Sequence, residues 1–238
     1  MEKQVATGET TADAGRPGKR RLAAQDRRRE ILDKSIAYFA RVGFDGGTRE
    51  LARELGTTQP LLYRYFPTKD ALIQDIYKVV YLDQWRPAWD ELLEDRSLPL
   101  RTRLTRFYDE YTDVILNPQW MRIYFFAGLK GVSINERYLA LVEERILHRI
   151  LREFHHERGL RVPQPIAPED LEIAWHLQGG IFYYGVRKYV YQSPVHVPKR
   201  QMIENALDIF FAGYGALTTR RADAPDTVFT QPEKRPSP

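Results

Sequence analysis

The 238-residue chain contains no cysteine and only three methionines. Without thiols it forms neither disulfides nor thiolate metal sites, so a reducing compartment suits it and a cytoplasmic location is expected. It also lacks any apolar run near the roughly eighteen residues that a membrane-crossing helix needs. The opening stretch "MEKQVATGETTADAGRPGKRRLAAQDRRRE" has no apolar core of the kind a secretory signal carries. Runs of alternating β-branched residues bounded by tight-turn pairs are missing, which removes sheet architectures. So are His-Glu-x-x-His, a phosphate loop ending Gly-Lys-Ser/Thr, and a Gly-x-Ser-x-Gly elbow, which removes the commonest enzyme signatures. No cofactor is implied. His148, His155 and His156 fall about two turns apart on a charged stretch, which reads as a solvated face and not as a metal site.

What the chain does have is charge placed unevenly. Residues 1–66 carry 13 Lys/Arg against 9 Asp/Glu, a net +4, whereas residues 67–219 carry 19 against 20. The excess concentrates between Arg16 and Arg29, where Arg16, Lys19, Arg20, Arg21, Arg27, Arg28 and Arg29 meet a single acid, Asp26. A basic arm ahead of a folded unit suits a polyanion, and equally suits a solvated tail that orders only on nucleic acid. The near-neutral remainder argues against a general nucleic-acid binder.

Periodicity then divides the chain. Residues 1–24 show none and are expected to be a disordered basic arm. From Asp26 the pattern turns helical, with Ile31, Leu32, Ser35, Ile36, Phe39 and Val42 on one face and Gly43 as a stop. Thr48 is placed to cap a second helix burying Leu51, Ala52 and Leu55, and a third runs from Thr58 to Tyr65. Pro67-Thr68 caps a longer helix with Leu72, Ile76 and Val79 or Val80 inward. Beyond it, helices are expected over 99–116, 118–129, 135–158, 168–192 and 198–218, opened by prolines or by a Ser133-x-x-Glu136 capping box. The expected organisation is all-α. A three-helix DNA-binding unit spans 25–70, a helical bundle spans 71–219, and a proline-rich tail spans 220–238.

The stretch "TRELARELGTTQPLLYRYF" (48–66) has the features of a helix-turn-helix. Ala52 permits close helix approach, Gly56 can adopt the left-handed conformation that ends the first helix, and Pro60 falls in the first turn of the second, where N–H groups lack partners. The second helix need only be short, because its N-terminal end alone enters a major groove.

Residues 28–77 closely resemble the DNA-binding domain of the tetracycline-repressor (TetR) family, in "ILDKSIAYFARVGF", in "LYRYFPTKDAL", and in the spacing between them. Thr57 departs from the small aliphatic residue usual there. The resemblance implies that Thr58 and Lys69 touch phosphates, Lys69 otherwise being an ordinary exposed lysine. Gln59 is suited to adenine, and Pro60 and Leu61 to thymine methyls. Tyr63 either meets a phosphate or the groove wall, or simply packs. Arg49 and Arg64 are expected to contact the DNA backbone without reading sequence. Tyr65 and Phe66 read as core.

The same resemblance implies that the larger domain binds a small-molecule effector and dimerises. All four tryptophans fall there, amid many tyrosines and phenylalanines. Such a bundle can enclose an apolar pocket, though each ring can equally be plain core. The candidate pocket residues are Phe107, Tyr111, Trp120, Arg122, Tyr124, Trp175, His176 and Gln178. Arg122, His176 and Gln178 are included because a polar group inside an apolar stretch needs a partner if buried. The effector is expected to be apolar or aromatic, with any anionic end met by Arg122 or His176.

In the last helix Met202, Ala206, Ile209, Gly213 and Leu217 form one apolar stripe, and Ile203, Leu207, Phe210, Phe211 and Tyr214 its neighbour. That surface is wider than a one-sided helix requires. With Tyr184, the first stripe is the expected homodimer interface. These features together point to a ligand-responsive, homodimeric regulator that releases operator DNA when its effector binds. An activator or co-repressed regulator of the same fold is the alternative, and an enzyme with a DNA-binding appendage a more distant one.

Overall fold

The computed structural model describes residues 17–130 and 134–223, and every regular element among them is helical. The chain divides into two compact units, residues 1–77 and 78–238.

The first unit holds α1 (Pro17–Val42), α2 (Thr48–Glu54), α3 (Gln59–Tyr65) and α4 (Lys69–Tyr77). Helix α1 starts at Pro17, upstream of the Asp26 start that hydrophobic periodicity alone suggests. Polar residues can extend a helix that packing has already nucleated further along. Its inward face is Ile31, Leu32, Ser35, Ile36 and Phe39, all buried, whereas Val42 is exposed. Ser35 sits inside without penalty because its hydroxyl donates to the Ile31 carbonyl at 2.7 Å. Helix α4 lies against α1 through Leu72, Ile73 and Ile76. Arg28 pairs with Asp75 and places its guanidinium 4.8 Å from the Phe66 ring centroid. One cation of the basic run is thereby spent on internal docking.

The second unit opens with a π-helical segment, Lys78–Leu82. It continues with α5 (Pro87–Glu94), α6 (Leu100–Ile115), α7 (Pro118–Leu129) and α8 (Ile134–Val142). Then come a second π segment (Glu143–Leu147), α9 (His148–Glu157), α10 (Pro168–Gly185), a third π segment (Val186–Val190) and α11 (Lys199–Asp223). The region expected as one helix over 135–158 is therefore two α-helices joined by a change of hydrogen-bond register, and 168–192 is likewise interrupted. Prolines open α7 and α10 as anticipated, and Pro87 opens α5, a helix that was not anticipated. The Asn117 side chain caps α7 by accepting from Trp120 N–H at 2.9 Å. The suggested cap residue Ser133 lies outside the described residues. No helix among the described residues is long and apolar enough to cross a membrane.

One charged group is fully interior. Arg103 is 2 % exposed and donates to the carbonyls of Leu93 (Nη1, 2.5 Å) and Leu98 (Nε, 3.1 Å) and to Glu153 at 2.9 Å. Arg96 adds a second guanidinium to Glu153 at 2.8 Å. This network fastens the α5–α6 connection to α9, and each buried charge in it has its partner. At Gly185 a β-carbon would stand 2.4 Å from a Leu116 methyl, so any larger residue there would force the Leu116 side chain at the α6–α7 corner to move.

Candidate functional site

Helices α2 and α3 cross through Leu51, Ala52, Leu55 and Leu62, all buried. The turn between them is set by Gly56 at φ +63°, a left-handed value that costs glycine little, and by Thr57 N–H donating to the Ala52 carbonyl at 2.9 Å. The Thr57 hydroxyl is buried with no hydrogen-bond partner, a small penalty at a position where an aliphatic residue would have none. Thr58 caps α3, its hydroxyl accepting from Leu61 N–H at 3.3 Å. Thr68 does the same for α4, accepting from Ala71 N–H at 3.0 Å.

Thr48 does not cap α2. Gly47 occupies the cap position with no side chain to offer, and Thr48 is the first helical residue. Its hydroxyl instead accepts from the Gln59 amide nitrogen at 3.0 Å and lies 3.0 Å from the Tyr63 hydroxyl. This single oxygen thus links the start of α2 to two residues of α3. Gln59 and Leu61 are half-buried, while Thr58, Pro60, Tyr63 and Arg64 are exposed on the outward side of α3, and Arg49 is exposed on α2. Phe66 is buried and Tyr65 half-buried. Lys69 is half-buried, and its ammonium donates to the Phe44 carbonyl at 2.5 Å and stands 5.9 Å from the Phe39 ring. A lysine expected at a phosphate therefore also ties α4 to the turn after α1.

In the second unit, five of the eight pocket candidates belong to one aromatic assembly. Phe107 stacks on Tyr111 at 5.2 Å between ring centroids, with Trp89 edge-on to both. Trp120 stacks on Tyr124 at 5.2 Å, and Tyr81, Tyr138 and Phe182 surround the pair. Gln178 lies inside, accepting from the Tyr108 hydroxyl at 3.2 Å, and Tyr111 is hydrogen-bonded to Tyr138. Burial pushes the phenols of Tyr108, Tyr111 and Tyr138 well above their ordinary range, so they stay protonated and neutral.

The other three candidates lie elsewhere. Arg122 is exposed, its guanidinium 5.4 Å from the Phe126 centroid. His176 is exposed, with Nδ1 2.7 Å from the Glu172 carbonyl, and Trp175 is half-buried. Arg122 and His176 face water and incur no burial cost, so the reason for seeking a ligand partner for them disappears. Tyr138 was not anticipated. Its one sequence signal is a lone aromatic on the apolar face of α8.

Helices α10 and α11 leave an apolar groove of about 290 Å³ between them, lined by His176, Gly180, Ala206, Ile209, Gly213 and Leu217 among others. Ile209 is 74 % exposed, whereas Ile203, Leu207, Phe210 and Tyr214 on the neighbouring stripe are buried. Nothing lies within 4 Å of the β-carbon position at Gly179, Gly180 or Gly213. Tyr184 differs from the other interface candidates. It is buried, and its hydroxyl donates to the Val197 carbonyl at 3.1 Å, which holds the α10–α11 connection.

Residues 31–76 match the family model of bacterial regulatory proteins of the tetR family. Among solved structures, a Pseudomonas aeruginosa PAO1 protein aligns with TM-score 0.62 at 19 % identity, over 83 % of this chain and 94 % of its own. A tetR-family transcriptional regulator from Streptomyces coelicolor aligns with TM-score 0.54 at 19 % identity, over 85 % and 91 %. Another from Pseudomonas syringae pv. tomato str. DC3000 gives 0.54 at 17 % identity, over 79 % and 95 %. At these identities the likeness is one of fold.

Proposed function

From the premise that residues 31–76 are a tetR-family segment, we propose that the chain is a homodimeric repressor, released from a palindromic operator by a small molecule. The observation that carries the reading is the outward end of α3. Gln59, Pro60, Leu61 and Tyr63 are presented together, on a helix whose start is capped by Thr58 and whose crossing with α2 is locked by buried leucines. In a major groove, Gln59 would read adenine, Pro60 and Leu61 would meet thymine methyls, and Tyr63 would line the wall. Thr58, Arg49 and Arg64 supply phosphate contacts around them. The protein acts in the cytoplasm on double-stranded DNA and needs no catalysis of its own.

Dimerisation is supported by the groove between α10 and α11. An apolar stripe exposed to this extent on a long helix, flanked by glycines with open space above them, suits helices of a second copy. Effector control is supported by the aromatic interior of the second unit. A ligand that binds one dimer spacing better than the other shifts the population away from the DNA-competent state.

Selection from a random pool of duplexes tests the reading. The enriched sequence should be a palindrome whose half-site centres lie about 34–36 Å apart, or at a multiple of one DNA turn. Failure to enrich any sequence would defeat the proposal.

A further inference from the structure

In the second unit lies a partly open space of only about 10 Å³, lined by Tyr81, Gln84, Trp85, Trp89, Tyr111, Val114, Ile115, Trp120, Tyr138 and Leu141. No residue of that lining carries a formal charge. The two indoles at its edge direct their N–H groups away, Trp85 to Asp90 at 2.6 Å and Trp89 to Glu110 at 3.0 Å, so they offer ring surface alone. The polar capacity of the space therefore rests with the tyrosines and with Gln84, whose amide nitrogen donates to the Val79 carbonyl at 2.9 Å.

The hydrogen bonds of the tyrosines are compatible with one direction. Tyr108 donates to the Gln178 carbonyl oxygen. The Tyr111 and Tyr138 hydroxyls are hydrogen-bonded and either can donate; with Tyr111 as the donor, the Tyr138 O–H is the terminal donor. Tyr138 lines the cavity and touches the Trp120, Tyr81 and Tyr124 rings. In the wall beside it, Tyr81 belongs to the π-helical segment Lys78–Leu82, a geometry frequent at functional sites.

We infer that this space opens to take an uncharged, planar aromatic ligand, whose ring slides among Trp85, Trp89, Trp120 and Tyr138 and whose hydrogen-bond acceptor meets the Tyr138 hydroxyl. The inference rests on the reading that the protein responds to a small molecule, and it names the ligand's class. Charge is disfavoured because a carboxylate placed there would lose its hydration, and the guanidiniums that stand 5.2 Å from the Trp89 and Trp85 ring centroids, Arg86 and Arg145, are already paired with Glu110 and Asp90. Arg122, the cation first considered for that purpose, is exposed and outside the lining. A ring is favoured because aromatic faces in edge and stacked arrangements are what the walls present.

Isothermal titration calorimetry on the full chain at slightly alkaline pH tests this with four probes. Quinoline is neutral with a ring-nitrogen acceptor, naphthalene has the same shape without one, 2-naphthoate adds a charge, and decanoate is an aliphatic anion. Quinoline should bind more tightly than naphthalene, and both more tightly than the two anions. Tyr138→Phe should weaken quinoline roughly tenfold, the effect of one lost hydrogen bond, and leave naphthalene unchanged. Thermal melting of the variant guards against misfolding, and Tyr111→Phe provides a second substitution that interrupts the same chain of donors. Tighter binding of 2-naphthoate or decanoate would overturn the ligand class while leaving ligand responsiveness standing. Equal loss of quinoline and naphthalene in a normally folded Tyr138→Phe would overturn the role of the hydroxyl. No binding of either neutral ring would overturn the site. Effector control itself is judged separately, by whether any compound releases operator DNA.

Discussion

The Thr48 hydroxyl lies 3.0 Å from the Tyr63 hydroxyl while also accepting from the Gln59 amide at 3.0 Å. The oxygen at the start of α2 therefore fixes the rotamers of two side chains on the outward part of α3. Gln59 has its amide nitrogen held from one side, which leaves its carbonyl oxygen and second N–H to face a base. Thr48→Val keeps the shape and removes only the oxygen. We predict a stability loss near the lower end of the about 0.5–1.5 kcal/mol typical of a hydrogen bond, because these groups are partly in water. Discrimination between the selected operator and random DNA should fall by more than stability does. Anisotropy titrations on both duplexes measure it, and unchanged discrimination would remove Thr48 from the reading apparatus.

Gln59→Ala gives the complementary result. Loss of a bidentate base contact should weaken operator binding by about 1–3 kcal/mol while random-sequence binding stays nearly constant. Equal weakening on both would show that Gln59 reads no base.

Lys69 separates two roles that look alike in sequence. Its ammonium donates to the Phe44 carbonyl and sits near the Phe39 ring, so its main work is to hold α4 against the turn following α1. Lys69→Met retains the aliphatic stem and should lower the melting temperature, with a cost of about 1.5–3 kcal/mol, as for a bond to a charged group. The dependence of DNA affinity on salt should not change. A slope reduced by about one would instead identify a phosphate contact.

The Arg96–Glu153–Arg103 network makes an acid-side prediction. Burial alone would raise the Glu153 carboxyl, but hydrogen bonds from Arg96 and Arg103 outweigh it and hold the group below the usual carboxylate range. A depressed folded-state value contributes stability that is fully present above the unfolded-state value. That stability disappears as pH falls through the folded-state value. Denaturant melts of Glu153→Gln should therefore lie under the parent near neutrality and converge with it only as pH falls through the depressed folded-state value of Glu153. Arg103→Leu, which leaves a buried carboxylate with Arg96 alone, should cost about 3–5 kcal/mol at neutral pH.

These cases show which features the sequence discloses. Helix α7 coincides with its expected span of 118–129, because proline at the start and an apolar run ending in glycine are local signals. The α2–α3 crossing was legible for the same reason. Glu153 and Arg103 stand 50 residues apart, and on paper each is a charge on an amphipathic helix; only tertiary contact reveals the pair. The π segments leave the apolar spacing nearly intact while shifting the hydrogen-bond register, so periodicity reads through them. Threonine before a helix suggests a cap whether or not its oxygen is used elsewhere, which is why Thr48 was misassigned. Arg122 and His176 sit among apolar neighbours in sequence yet project outward, since a helix places adjacent residues about 100° apart.

Assembly provides the last test. Ile209 is 74 % exposed and lines the α10–α11 groove with the half-buried Leu217 and the buried Phe210 and Tyr214. Replacing Ile209 and Leu217 by glutamate puts two charges on the proposed seam, one at an exposed and one at a half-buried position. Sedimentation should then report monomers, and circular dichroism should show helicity close to that of the parent. Operator affinity should fall towards the random-DNA level, since only a dimer holds two α3 helices about one DNA turn apart. Phe210→Glu serves as the contrast, because this side chain is buried against Phe154 and Tyr214. It should unfold the bundle rather than merely dissociate it. Dimers that persist in the Ile209→Glu, Leu217→Glu protein would place the interface on another face, and the groove would then need a different occupant.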